Sequence, residues 1–254
     1  MAAFRAGLFV AGIQKAGTTT LFRLLAQHPR LLAPTRKETH VFDDETLDWT
    51  APDPAGFHAM FPGATPDRIG FDCTPIYVFW PPSLPRILRY NPDARIVIIF
   101  RDPIDRAWSH WRMERRRGAE PLSFSAAIRE GRARLPAGDP LDPAWRVHSY
   151  VERGCYATQI RRVLDIVPRG NLLFLDLGDL AADHRGVLDR IAGFLGIEPF
   201  PDLAARHDHA SRADGQVMDA ADAAYLRRVF LPEVEPLPGL TGLRVDRWRT
   251  MRAG

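Results

Sequence analysis

The run Leu8-Phe9-Val10-Ala11-Gly12-Ile13, followed at once by Gln14-Lys15-Ala16-Gly17-Thr18-Thr19-Thr20, constrains this chain more than any other feature. A fully buried apolar strand leads into a tight Lys/Gly/Thr turn, and Leu21, Leu24 and Leu25 then recur at helical spacing. Amides left without partners at a helix start, the positive end of the helix dipole, three hydroxyls and one ammonium converge on a small volume that suits a phosphate. The order differs from the nucleotide-triphosphate loop G-x-x-x-x-G-K-[ST], in which lysine follows the last glycine. Here Lys15 precedes Gly17.

Apolar runs alternate with amphipathic stretches along the rest of the chain, which predicts a parallel sheet covered by helices. Strands are expected at 8–13, 69–72, 96–100 and 171–175. Helices are expected from the first turn to about His28-Pro29, over 82–91, after Asp102, over 150–167 and over 185–195. A last helix and tail carry Leu226, Phe230, Val234, Leu237, Leu240 and Trp248. Residues 33–66 are rich in Pro, Asp and Thr and read as an irregular segment, the place to look for ligand contacts. A second strand, turn and helix start is Arg95-Ile96-Val97-Ile98-Ile99-Phe100-Arg101-Asp102-Pro103, continuing to Ser109. Both turns follow strand C-terminal ends, where open parallel sheets bind ligands, so two anion sites facing one crevice are expected.

This pair of segments resembles the sulfotransferases. The resemblance implies a P-loop-like three-layer α/β/α fold with a central, mostly parallel sheet, and activity toward 3′-phosphoadenosine 5′-phosphosulfate (PAPS), with 3′,5′-adenosine diphosphate as product. It implies that Lys15 meets the bridging oxygen of the donor, that Ala16, Gly17, Thr18, Thr19 and Thr20 hold the 5′-phosphate, and that Arg101 and Ser109 bind the 3′-phosphate. Lys37-Glu38-Thr39-His40-Val41-Phe42 is similar to the N-E-V-H-F-F stretch of heparan sulfate 3-O-sulfotransferases, where the glutamate is the base. Glu38 is favoured for that role, with His40 as the alternative. The same enzymes carry a lysine in an E-K-T-P stretch where this chain has Asp72-Cys73-Thr74-Pro75, so either another basic residue supports the acceptor or the acceptor differs. His207, His209 and Arg212 lie in a loop that either closes over the adenine or is simply a flexible polar loop, and Trp108 and Trp111 either pack in the core, as tryptophans more often do, or flank the nucleotide. The later segments Tyr156-Ala157-Thr158-Gln159-Ile160, Leu172 to Asp176 and Phe194-Leu195-Gly196 follow the family order.

With 254 residues the chain suits one α/β domain over 1–254, and 46% hydrophobic against 26% charged residues excludes disorder. A net charge of only +3, from 34 basic and 31 acidic residues, leaves no polybasic arm for nucleic acid. Arg115, Arg116 and Arg117 read as a solvated helix end. Cys73 and Cys155 make neither a disulfide scaffold nor a metal set, and the scheme needs no metal. The first residues run into a strand without a secretory signal, and no run is long enough to span a bilayer, so a cytoplasmic location is expected. The Ala- and Arg-rich composition hints at a bacterial source. The acceptor is expected to be a small molecule or glycan with a hydroxyl. Two rivals remain: a P-loop kinase-like phosphotransferase, against which the place of Lys15 argues, and a nucleotide-binding module that would not need Glu38 or His40.

Overall fold

The computed structural model describes residues 4–201 and 216–252. In chain order the elements are β1 (Ala6–Gly12), α1 (Thr18–Leu25), β2 (Leu31–Leu32), α2 (Ala55–His58), β3 (Ile69–Asp72), α3 (Ser83–Tyr90), β4 (Arg95–Phe100), α4 (Pro103–Arg116), α5 (Phe124–Ile128), α6 (Ala144–His148), α7 (Tyr156–Ile166), β5 (Leu172–Asp176), α8 (Leu177–Ala182), α9 (His184–Leu195), α10 (Ala220–Val234) and α11 (Leu237–Thr241). They fall into two compact units, the first made of Met1–Phe100 and Val163–His207, the second of Arg101–Arg162 and Asp208–Gly254.

The first unit is built on a five-stranded sheet of order β2-β3-β1-β4-β5, and every pairing in it is parallel. β1 and β4 sit inside the sheet, and apart from Gly7 and Arg95 all their residues are buried, which accounts for their unbroken apolar composition. The chain leaves β1 toward β2 on one side and leaves β4 toward β5 on the other. The strand order therefore reverses between β1 and β4, the place where parallel sheets open a ligand crevice at their C-terminal edge. The ends of these strands are joined by a hydrogen bond from the Ile13 amide to the Ile99 carbonyl, 2.8 Å long.

Two elements differ from the sequence reading. α1 stops at Leu25, three residues short of His28, because the buried His28 ring turns the chain: it accepts the Arg30 amide at 3.1 Å and meets the Glu198 carbonyl at 3.0 Å. The stretch from 150 is not one helix. A single 3-10 turn over Glu152–Gly154 precedes α7, and Cys155, with ψ 77°, breaks helical geometry between them. β2 has only two residues, too few to show periodicity.

In the second unit α4 is capped by Asp102, whose Oδ1 accepts the amides of Ile104 and Asp105, with Pro103 at the first helical position. The helix ends in the exposed run Arg115, Arg116 and Arg117, as expected of cations at a C-terminus. Glu233 of α10 holds the start of α7 through the Thr158 amide and hydroxyl at 2.9 and 2.7 Å. Among the described residues, no helix is long and apolar enough to cross a membrane.

Candidate active site

The turn after β1 is shaped by close approach. A Cβ on Gly12 would lie 2.4 Å from Val78 Cγ1, and Val78 donates its amide to the Ala11 carbonyl at 2.9 Å, so only glycine lets that crossing segment sit so near. Lys15 (φ 72°) and Gly17 (φ 82°) both take the left-handed conformation. At Gly17 this is compounded by space, since a Cβ there would meet Leu177 Cδ1 at 2.5 Å. α1 then starts at Thr18 with no side-chain cap, and Leu21 makes its backbone bond to Gly17 at 3.1 Å. The amides of Thr18, Thr19 and Thr20 therefore have no acceptor within the helix. Thr18 is buried, Thr20 half-buried and Thr19 exposed, with Lys15 half-buried beside them. Lys15 through Thr20 form one cradle whose backbone and charge favour an oxyanion.

The segment 37–43 carries a chain of alternating charges. Lys37 Nζ donates to Glu38 Oε1. His40 Nε2 lies 3.6 Å from Glu38 Oε2, and its Nδ1 lies 3.0 and 3.1 Å from the two carboxylate oxygens of buried Asp43. The segment is not extended, as the two-residue spacing of Glu38 and His40 suggested. Both residues take left-handed backbone, with φ 61° and 56°, and their side chains meet nonetheless. Between them, Thr39 is pinned from below by Asp72 at the end of β3. Its hydroxyl donates to Asp72 Oδ2 at 2.6 Å, while Tyr77 and Thr74 donate to the same carboxylate at 2.7 and 2.9 Å. Paired left-handed non-glycine residues cost about 1–3 kcal/mol each and persist only where surroundings over-determine them, which the buried Asp72 hub does.

Electrostatics divide the roles. Burial pushes the Glu38 carboxyl up, but hydrogen bonds from His40 and Lys37 and the charges of both outweigh it and bring the pKa to about 2. His40 is raised to about 9, chiefly by its hydrogen bonds to Asp43 and then Glu38, against the cost of burial. At neutral pH the imidazolium has no lone pair with which to take a proton, whereas Glu38 is a carboxylate. Sequence reading missed Asp43 and Lys37. The Glu-x-His-x-x-Asp spacing was the available signal for Asp43. Lys37 is buried for most of its side chain, and its positive charge acts on the Cys73 thiol. It thus supplies a cation near the position where the related motif has lysine. Cys73 itself is fully buried, donates its thiol to the Thr18 carbonyl at 3.3 Å, and is pushed well above the usual thiol range by burial, so it stays a protonated packing residue.

Arg101 and Ser109 belong to the second unit. The Arg101 carbonyl accepts the Tyr156 hydroxyl at 2.9 Å, and its side chain is half-buried. The Asp102 carboxylate is occupied by the amides that cap α4 and by the Thr250 amide at 2.7 Å, so its role is structural. Ser109 lies on α4 seven residues after Asp102, about two turns along, and is half-buried. Trp108 and Trp111 stack at 5.0 Å with Phe124 edge-on to Trp108 at 4.8 Å, and the Trp111 indole donates to the Leu122 carbonyl, which makes the pair a packing cluster. Arg212, His207 and His209 lie outside the described residues. Among the described residues, no group of three or more His, Cys, Asp and Glu side chains is placed to hold a metal ion.

Comparison with known proteins bears on this arrangement. Residues 6–214 match the model of the sulfotransferase domain. The chain is 29% identical over 193 residues to mouse heparan sulfate glucosamine 3-O-sulfotransferase 6, which covers 74% of this chain and 52% of that protein. It is 29% identical over 199 residues to the human bifunctional heparan sulfate N-deacetylase/N-sulfotransferase 3, covering 75% of this chain and 22% of that protein. The chain thus spans about half the length, or less, of these curated relatives. Among solved structures it is similar to a sulfotransferase from Alicyclobacillus acidocaldarius, with a TM-score of 0.77 at 29% identity, over 97% of this chain and all of the other.

Proposed function

The chain belongs to the sulfotransferase family, with its P-loop-like α/β fold, and from that premise we propose that it moves a sulfuryl group from PAPS to a hydroxyl of a glycan, glycolipid or secondary metabolite. The observation that carries the reading is the uncapped start of α1 behind left-handed Lys15 and Gly17, the latter a position where a Cβ would collide with Leu177. When bound, PAPS supplies the sulfuryl group and a phosphate leaving group. The acceptor oxygen attacks sulfur, the bond from sulfur to the bridging oxygen breaks, and its electron pair stays with the phosphate. Lys15 neutralises the charge that grows on that oxygen, and the amides and hydroxyls of Ala16 to Thr20 hold the 5′-phosphate. Glu38 takes the acceptor proton, and His40, held by Asp43, orients it. Arg101 and Ser109 hold the 3′-phosphate, with Arg212 as a further cofactor-binding residue. We take the domain to run over 1–254 and to act in the cytoplasm.

Calorimetric titration tests the reading, with 3′,5′-adenosine diphosphate against ATP plus magnesium, on the wild type and on Arg101→Ala. Preference for the bisphosphate, weakened by the substitution, is the expected result. Tighter binding of ATP would move the protein to the phosphotransferases.

A further inference from the structure

A cavity of about 430 Å³ lies within the first unit, walled by Phe42, Trp49, Phe57 and Tyr90 and bordered by Phe4, Arg5 and His58. That volume falls in the range of small-molecule sites. Its rings meet one another edge-on or tilted: Phe42 and Phe57 centroids are 5.2 Å apart, Phe57 and Tyr90 5.5 Å, Phe42 and Trp49 6.0 Å.

The Phe4 and Arg5 side of the cavity sits at the opposite end of β1 from the phosphate cradle, while Val41 and Phe42 of its lining continue the segment that carries Glu38 and His40. Phe4 and Arg5 precede the strand, and the cradle follows it, so the seven residues between them set the two apart by roughly 20 Å at about 3.3 Å per residue. The end of α3 is tied to that entry edge, since Ala6 donates its amide to the Tyr90 oxygen at 2.7 Å and its carbonyl accepts from Asn91 Nδ2 at 2.9 Å.

The polar groups of the cavity define a charge preference. The Tyr90 oxygen accepts the Ala6 amide and lies 3.0 Å from His58 Nε2. Exposed Arg5 also lines the cavity, and its charge acts on the His58 ring. Arg86 and Arg89 also line the cavity. Arg86 binds both oxygens of Glu45 and covers Trp49, while Arg89 donates to the Trp49 and Thr50 carbonyls, so these two clamp the wall. The two acids in the lining are engaged locally: Asp48 by the Thr50 amide and hydroxyl, and Asp53 by the Ala55 amide. Arg5 is left as the cation for a ligand, with the His58 ring in the same lining.

We propose that this cavity is a binding site apart from the phosphate cradle, for a planar and mostly apolar small molecule bearing one anionic group, its rings held by Phe42, Phe57 and Tyr90 and its anion by Arg5. The probe is anilinonaphthalene sulfonate, read by fluorescence, with neutral phenylnaphthylamine as its uncharged counterpart. Saturable binding of the sulfonate at one site per chain, undiminished by saturating 3′,5′-adenosine diphosphate, is expected. Ala51→Trp, which fills the cavity from an exposed loop position, should weaken binding by about tenfold or more. Arg5→Ala should weaken the sulfonate and leave the neutral dye unchanged. Displacement by the bisphosphate, no saturable binding to the wild type, or indifference to Ala51→Trp would each overturn the proposal. The Ala51→Trp and Arg5→Ala outcomes do not bear on whether the cradle binds PAPS.

Discussion

The turn at 14–20 and the segment at 37–43 lie in the same unit but are held in place by opposite means. The first is shaped by backbone: a buried strand, a glycine that only glycine can replace, and an uncapped helix start. The second has no regular structure and two left-handed non-glycine residues, and is shaped by a buried carboxylate that reaches up from β3 to Thr39. The contrast teaches that a turn and helix start can be written locally in a motif, whereas the placement of the pair proposed to handle a proton depends on a partner far away in the chain.

Substitutions that spare one mode of support and remove the other break the comparison. In the cradle, Lys15→Ala leaves the backbone intact and removes the charge, so transfer should fall by about 10² or more while the melting temperature stays near wild type. Retention of full turnover would refute a role for the ammonium. In the proton segment, Glu38→Gln should likewise cost about 10² in kcat. Unchanged turnover would refute Glu38 as the base.

Asp72→Asn probes the support rather than the chemistry. The carboxylate accepts hydroxyl protons from Thr39, Tyr77 and Thr74, and an amide NH₂ cannot accept, so at least one of these donors loses its partner. We expect a loss of about 1–3 kcal/mol in stability and a roughly tenfold lower kcat, with affinity for the bisphosphate unchanged. Weakened bisphosphate binding would show that the two regions are not independently supported.

The smallest effect is electrostatic. The His40 imidazole should titrate near pH 9 by NMR, and Asp43→Asn should bring it back toward its ordinary value of 6.5. Because the folded pKa is raised, the stability that His40 contributes is fully present below 6.5 and is lost as pH rises through about 9. Glu38 works in the other direction: its contribution is present above 4.5 and is lost as pH falls toward 2. A His40 titration near 6.5 in the wild type would contradict the Asp43 contact.

The sequence by itself determined the parallel α/β plan, the strand, turn and helix start around 8–25 and the ends of β3, because apolar runs, glycine and proline act on their immediate neighbours. Glu38 and His40 are proposed by likeness of motif rather than by physics. Only the tertiary structure decided that Asp72 supports Thr39 across thirty-three residues, that Asp43 and Lys37 flank the pair and set its protonation, and that Cys73 is buried against α1. The reason is that hydrogen bonding and desolvation depend on which groups are brought within a few ångströms and how far water is excluded, and neither quantity is carried by spacing along the chain.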